Sequence, residues 1–361
     1  MTTNWENIMQ SVEKKVRSIQ NLKLTMYQKA IIINCIIHSK LWYVAHIFPL
    51  PIRYANKIKR LTFHYLWGKT YEPIKRSTLS LSKHEGGLGV IDIFYKSQSI
   101  LTSSFIKSYN NEYGLNYLAD YYTDIRVAQL LNRSSNPVQV SYIGTSYYRE
   151  IISIIQKCTH TKGFPEINAK LIYENITPKH KPNIESLYSL YNWKFIWKEA
   201  SSVFIMLNER EMIYKYLHEI LPTKKRLKDI RRIADSTCEY CAQEESNIHF
   251  VFQCERYSAV VIWFKNLLER FCGIRNPQLI KLSFFDLPKV NRKCKNATVM
   301  LMSSYIVSMW QARKSNMNSS ITKKYMKSKF LQKKSQLRYL LGEKMENVLT
   351  TEVCSMNWSN L

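Results

Sequence analysis

Three cysteines and one histidine lie within the seventeen residues CEYCAQEESNIHFVFQC, and they are Cys238, Cys241, His249 and Cys254. Their spacing, C-x2-C-x7-H-x4-C, lets the first pair reach one ion from a tight turn while the second pair completes a tetrahedron, an arrangement that suits Zn²⁺. Four protein ligands leave no position for water or substrate, so the pattern predicts a structural zinc site. The alternative is four reduced core residues, which the polar loop QEESN between the pairs disfavours.

Glycine and proline are scarce, at 9 and 10 of 361 residues, and long periodic apolar runs separate them. This pattern predicts a mainly α fold. The sequence EGGLGVIDI (85–93) predicts a Gly-rich turn with a short hairpin, and residues 134–190 are expected to be irregular. We expect helices over about 5–20, 25–47, 51–67, 92–109, 147–158, 193–219, 256–271 and 297–315.

The chain is expected to divide into four regions. The first two are a helical region (1–70) and a connection region with irregular linkers (71–190). They are followed by a zinc-binding module (191–275) and a C-terminal helix with a basic tail (276–361). From Arg313 to Lys344 the chain has ten Lys or Arg and one acid, Glu343, which predicts a solvated basic helix or a partly ordered arm.

The chain carries 53 Lys and Arg against 27 Asp and Glu, a formal net charge of +26. Such an excess favours a nucleic acid, RNA or DNA, as the partner, with an anionic membrane surface second and a generally basic protein as the plain alternative. The basic segments could also be ordinary solvated faces. The residues that we expect to contact phosphates are Lys224, Lys225, Arg226, Lys228, Arg231, Arg232, Arg313, Lys323, Lys324, Lys327, Lys329, Lys333 and Lys334.

Enzyme signatures are incomplete in this sequence. WGKT (67–70) lacks the first glycine of a phosphate-binding loop, because Phe63 stands in its place, and no two Asp residues are adjacent. We therefore expect no enzymatic activity and no small-molecule substrate. The N-terminus does not read as a secretory signal, and Asn34, His38, Ser39 and Lys40 interrupt the longest apolar stretch, so we expect a nuclear or cytoplasmic protein, not secreted and without a membrane partner.

The order of several segments resembles the region after the catalytic palm in reverse transcriptases of LINE-type, non-LTR retrotransposons. The segments from NWENIMQ to FPLP, then LTFHYLWG and LSKHEGGLGVIDI, resemble the helical thumb and its connection. WKFIWKEA, HEILPTKKRL, the cysteine and histidine cluster and YIVSMWQARKSN resemble the zinc-binding reverse-transcriptase module and its following helix. In this comparison, Cys238, Cys241, His249 and Cys254 match the family's zinc ligands.

The resemblance covers roughly residues 4–316 and does not include the family's fingers and palm with their catalytic Asp pair. It therefore implies a C-terminal piece, thumb-like over residues 1–70, that grips RNA or DNA and does not polymerise DNA by itself. Two alternatives remain open: a protein-interaction scaffold that docks on a polymerase supplied in trans, and a non-functional remnant of such an element.

Overall fold

The computed structural model describes residues 2–68, 71–109, 146–159, 168–287 and 291–355. These ranges are mainly helical and contain no β-strand, which confirms the predicted mainly α class. The chain forms two compact units. The first unit comprises residues 1–81 and 88–180, and the second comprises residues 82–87 and 181–361.

Eight α-helices are described in the first unit. The side chains of Thr25 and Gln28 form a capping box that starts the second of them, and Gly68, with φ of +62°, ends the fourth. The predicted helix 25–47 contains a π-helical segment, Ile33–Ile37, between two α-helices. The eight are α1 (Thr2–Ile19), α2 (Met26–Ile32), α3 (Ser39–Ala45), α4 (Ile52–Trp67), α5 (Arg76–Leu79), α6 (Ile93–Tyr109), α7 (Ser146–Thr159) and α8 (Ala169–Ile176).

Apolar side chains at helical spacing form the interior of the first unit. Val12, Leu41 and Ile58 are buried where α1 packs against α3 and α4. Ile154 of α7 and Ile172 of α8 belong to an apolar cluster with residues of α6. Residues 169–176 are therefore helical within the predicted irregular region, whereas residues 134–145 and 160–167 lie outside the described part of the chain.

Ten α-helices are described in the second unit. The predicted helix 193–219 is divided in two, because the Ser202 hydroxyl accepts a hydrogen bond from Phe204 N and offers the backbone an alternative to the helix. The ten are α9 (Asn183–Leu187), α10 (Trp193–Ala200), α11 (Leu207–Leu217), α12 (Lys224–Asp229), α13 (Ser258–Cys272), α14 (Leu279–Ser283), α15 (Arg292–Lys314), α16 (Ser319–Leu341), α17 (Met345–Val348) and α18 (Thr351–Ser355).

Helix α15 is the centre of the second unit. Met302, Ile306 and Met309 of α15 are fully buried. They share one apolar core with Phe250 and Phe264, so this core contains residues from both sides of position 275. The predicted boundaries at 70 and 275 therefore do not separate compact units, and the observed division at 180/181 lies ten residues before the predicted one at 190.

The basic tail forms an ordered helix with a buried side. In α16, Met326 and Phe330 are fully buried and Leu337 nearly so, which packs this helix against α15. Of the two expectations for the tail, a solvated basic helix or a partly ordered arm, residues 319–341 form the basic helix, and one side of it is buried.

The Gly-rich turn forms no hairpin, which corrects that part of the prediction. Residues 83–85 form a 3₁₀ turn with a capping box between Ser82 and Glu85. Gly86 then takes a φ of +80°, where a Cβ atom would lie 2.6 Å from Cε2 of Trp197. Only glycine allows both this conformation and this approach.

Candidate metal centre

The first two cysteines of the cluster lie on a tight loop. Cys238 N donates to Gln243 O at 2.7 Å, and Ala242 N donates back to Cys238 O at 3.0 Å. An isolated β-bridge between Thr237 and Glu244 closes the loop. The loop therefore brings Cys238 and Cys241 to the same point of the chain.

The other two residues of the cluster are held by one turn of π-helix, His249–Gln253. The Ser246 hydroxyl accepts a hydrogen bond from His249 N, the first residue of the turn, at 3.1 Å. Cys254 N donates to His249 O at 2.9 Å, which spans five residues and closes the turn. Such turns are rare and are frequently found at functional sites.

Together these two segments bring the predicted ligands into one cluster. One ligand atom from each of Cys238, Cys241, His249 and Cys254 lies within 4.8 Å of the other three. The Cys238 and Cys254 sulfurs are 3.9 Å apart, and Cys241 Sγ lies 3.3 Å from His249 Nε2. Cys241 is half-buried and the other three are buried. The cluster could therefore bind a metal ion.

Burial controls the protonation of this cluster. It raises the pKa of the Cys254 thiol to about 12, against the opposite effect of a hydrogen bond with the Arg256 backbone. It also lowers the pKa of His249, although the Glu245 carboxylate acts in the other direction. A neutral imidazole is ready to bind a metal, whereas a thiol must first lose its proton.

Glu245 lies beside the cluster and was not identified from the sequence. Its carboxylate is buried, and its Oε1 accepts from Lys224 N at 3.0 Å and from Arg313 Nε at 2.9 Å. Glu245 N also donates to Ser236 O at 2.8 Å, and Ser236 lies two residues before Cys238, where the loop of the cluster begins. This carboxylate therefore joins the loop to the start of α12 and the end of α15. No local pattern predicts this pair, because Arg313 is 68 residues from Glu245.

The predicted phosphate contacts around α12 fall into two groups. Lys224 Nζ lies 2.9 Å from Glu239 Oε1, and Lys225 Nζ lies 2.7 Å from Glu244 Oε2, so nearby carboxylates offset both charges. Lys228, Arg231 and Arg232 are exposed, and Arg226 is half-buried.

Two predicted contacts near α16 have internal partners instead. Lys333 is almost fully buried: its Nζ lies 2.6 Å from Glu209 Oε2 and donates to Ser303 Oγ at 2.7 Å. A phosphate cannot reach this amine, so the assignment of Lys333 is corrected. Arg313 is mostly buried and pairs with Glu245, which gives it a structural partner.

The remaining predicted contacts lie on α16 at positions outside its fully buried side. Lys324 is exposed, and Lys323, Lys327, Lys329 and Lys334 are half-buried. The Lys323 amine lies 5.9 Å from the centre of the Trp263 ring, and the Lys329 amine lies 5.7 Å from that of Tyr325. The helix itself contains no Asp or Glu that could offset these charges.

The sequence matches no family model and no curated protein. In the parts of the chain that the structure describes, no helix combines the length and the apolar character needed to cross a membrane.

Proposed function

We propose that the cluster binds zinc in a structural role and that the second unit binds nucleic acid, RNA or DNA, mainly through phosphate contacts of α16. A tetrahedral Zn²⁺ with bonds of about 2.3 Å to sulfur separates two sulfurs by about 3.8 Å. The 3.9 Å between Cys238 Sγ and Cys254 Sγ agrees with this value. Three thiolates and one imidazole are a common ligand set of structural zinc.

The charge of α16 is the observation that carries the nucleic-acid proposal. Seven of its 23 residues are Lys or Arg and none is Asp or Glu. With Lys333 buried, six cations remain. At about 100° per residue, one side of the helix carries a row of five of them, Lys323, Lys324, Lys327, Lys334 and Arg338, and Lys329 lies on another side, next to Lys333. A row of cations on an ordered helix neutralises successive phosphates and releases their counterions, which gives affinity without strong sequence preference.

Fluorescence anisotropy with a labelled single-stranded RNA and a duplex DNA, at two salt concentrations, tests this proposal. The test variant is Lys323→Ala with Lys324→Ala and Arg338→Ala. Its matched control removes the same charge from exposed lysines of the first unit, with Lys14→Ala, Lys23→Ala and Lys40→Ala. We expect the test variant to bind at least about tenfold more weakly, with a log–log salt slope smaller by about 2 to 3.

The control should stay within about threefold of the wild type, because salt screens charges away from the bound phosphates. Equal losses in both variants would show that only net charge matters. Absence of binding by the wild type at low salt would refute the proposal and leave the protein-interaction scaffold and the non-functional remnant as alternatives.

We further propose that the chain derives from a LINE-type reverse transcriptase and has no polymerase activity of its own. The order of matching segments and the Cys238, Cys241, His249 and Cys254 cluster support this origin. A primer-extension assay on an RNA template with the purified chain tests it, and incorporation of nucleotides would contradict it.

A groove in the second unit favours a second candidate function, a scaffold that docks on a polymerase in trans. The groove has a volume of about 460 Å³ and lies between the start of α11 and the C-terminal half of α16. Val203, Leu207 and Leu340 line it and are each about two-thirds exposed. Salt-insensitive binding to a polymerase that Leu207→Asp abolishes, and that Leu190→Asp outside the groove does not, would favour this function.

A further inference from the structure

The turn between α15 and α16 is held by residues that flank the metal ligands. Arg256 Nη2 donates to Asn316 O at 2.9 Å and to Met317 O at 3.3 Å. Arg256 Nη1 and the Tyr240 hydroxyl both donate to Asn316 Oδ1. One side chain, Asn316, thus receives hydrogen bonds from two segments of the metal centre.

Arg256 also lies close to a predicted metal ligand in the sequence. It follows Cys254 by two residues, and its backbone oxygen accepts from Ser319 Oγ at 3.1 Å. Its guanidinium lies 4.1 Å from the centre of the Tyr240 ring, and Tyr240 stands between Cys238 and Cys241. Arg256 therefore packs against the loop of the cluster through Tyr240 and is bonded to the first residue of α16.

The conformation of the turn determines where α16 begins. Asn316 has a φ of +53°, in the left-handed region that asparagine tolerates better than most residues. Two residues later, Asn318 Oδ1 accepts from Ile321 N at 2.9 Å and caps the helix. Lys323 and Lys324 follow within two turns, so a displaced turn would displace the first cations of the row.

We propose that Arg256 and Asn316 are positioning residues, through which the bound metal orders the start of α16 and its first cations. The ion fixes the loop that carries Tyr240 and the turn that ends at Cys254, and these two segments together hold Asn316. The proposal has two parts: the ordering of α16, which concerns this chain alone, and its effect on binding, which rests on the proposed function.

Hydrogen exchange of the metal-loaded chain tests the ordering. The first test variant is Asn316→Gly, which keeps the positive φ and removes the side-chain acceptor Oδ1. The second is Arg256→Lys, which keeps the charge and removes the two-nitrogen contact of the guanidinium with residue 316. Hydrogen bonds to a charged group carry enough free energy that we expect at least about a tenfold loss of protection at amides 322–326. Both variants should retain one metal ion per chain. Ser315→Ala, in the same turn, is the control and should change protection by less than about twofold.

Chelation of the metal should reproduce the loss of protection at amides 322–326. If chelation unfolds the whole second unit, the two metal-loaded variants still decide the question. Unchanged protection in Asn316→Gly and Arg256→Lys would overturn the proposal, and so would an equal loss in Ser315→Ala.

Anisotropy with the labelled single-stranded RNA separates the two parts. We expect metal-loaded Asn316→Gly to bind about three- to tenfold more weakly than the wild type, because two or three phosphate contacts become less favourable. A changed exchange pattern in a chain that never binds RNA would refute the proposed function and leave the ordering intact. Tight RNA binding by the wild type, together with unchanged hydrogen exchange in the two variants, would refute the ordering and leave the proposed function intact.

Discussion

At the scale of single residues, the Glu245 carboxylate joins three segments that are far apart in the sequence. It is buried and accepts hydrogen bonds from Lys224 N and from Arg313. We predict that Glu245→Gln lowers the free energy of unfolding of the metal-loaded chain by about 2 kcal/mol, because the Arg313 guanidinium loses its charged partner.

Urea unfolding measures this change. Glu244→Gln is the matched control, since Glu244 pairs with Lys225 at the surface, where an ion pair contributes below about 1 kcal/mol. Equal effects of the two substitutions would contradict the structural role assigned to Glu245.

The buried environment of His218 makes the free energy of unfolding depend on pH. Burial lowers its pKa to about 4, although its hydrogen bond with Gly86 O acts in the other direction. Between pH 6.5 and 4 the unfolded chain therefore binds more protons than the folded chain, so the stability contribution is present above pH 6.5 and is lost as the pH falls. We predict a loss of about 2 kcal/mol between pH 7.5 and 5.0.

The measurement compares urea unfolding of the wild type and of His218→Phe at both pH values. The variant keeps an aromatic ring against Trp197 and cannot titrate, so its stability should fall by about 2 kcal/mol less than that of the wild type. Parallel behaviour of the two proteins would exclude His218 as the source.

At the scale of structural elements, the turn 82–87 depends on one glycine. Gly86→Ala would place a Cβ against the Trp197 ring at a φ of +80°, so we predict a destabilisation of about 3 kcal/mol. Gly89 also has a positive φ, of +70°, but no atom beyond Gly89 itself and its two neighbours in the chain lies within 4 Å of its Cβ position. Gly89→Ala should therefore cost only about 1 kcal/mol in urea unfolding, and equal costs would contradict the close approach to Trp197.

The elements also show what could be predicted from the sequence. The cluster of Cys238, Cys241, His249 and Cys254 was predictable because its four members are close in the chain, at a spacing typical of residues that bind one ion. Helix α16 was only partly predictable. Its buried face has Met326, Phe330 and Lys333 at helical spacing, but charge alone placed Lys333 on the surface. Its partner, Glu209, is far away in sequence, and no local pattern predicts such a pair.

At the scale of the whole molecule, the cysteine and histidine cluster packs in the same apolar core as the long helices of the second unit. Phe250, next to His249, packs against Trp310 with ring centres 5.5 Å apart, and Tyr305 Oη donates to Val251 O at 2.6 Å. The sequence suggested a separate module over 191–275, because composition and spacing do not reveal contacts between distant segments. The structure shows one core on both sides of position 275.

This shared core predicts the effect of metal removal. Chelation should expose amides of α13 and α15 together with those of the cluster, because metal binding supplies folding free energy, on the order of 10 kcal/mol in small zinc modules. Helices α1 and α4, in the first unit, should keep their protection from hydrogen exchange. Loss of protection confined to residues 236–256 would contradict this account.

Lysine footprinting tests the central claim, nucleic-acid binding by α16, most directly. The metal-loaded chain is reductively methylated with and without single-stranded RNA at low salt, and modified lysines are identified by mass spectrometry. We predict that RNA protects Lys323 and Lys324, while the exposed Lys14 and Lys23 of the first unit react as before. Protection spread evenly over all exposed lysines, or unchanged reactivity of Lys323 and Lys324, would contradict the account.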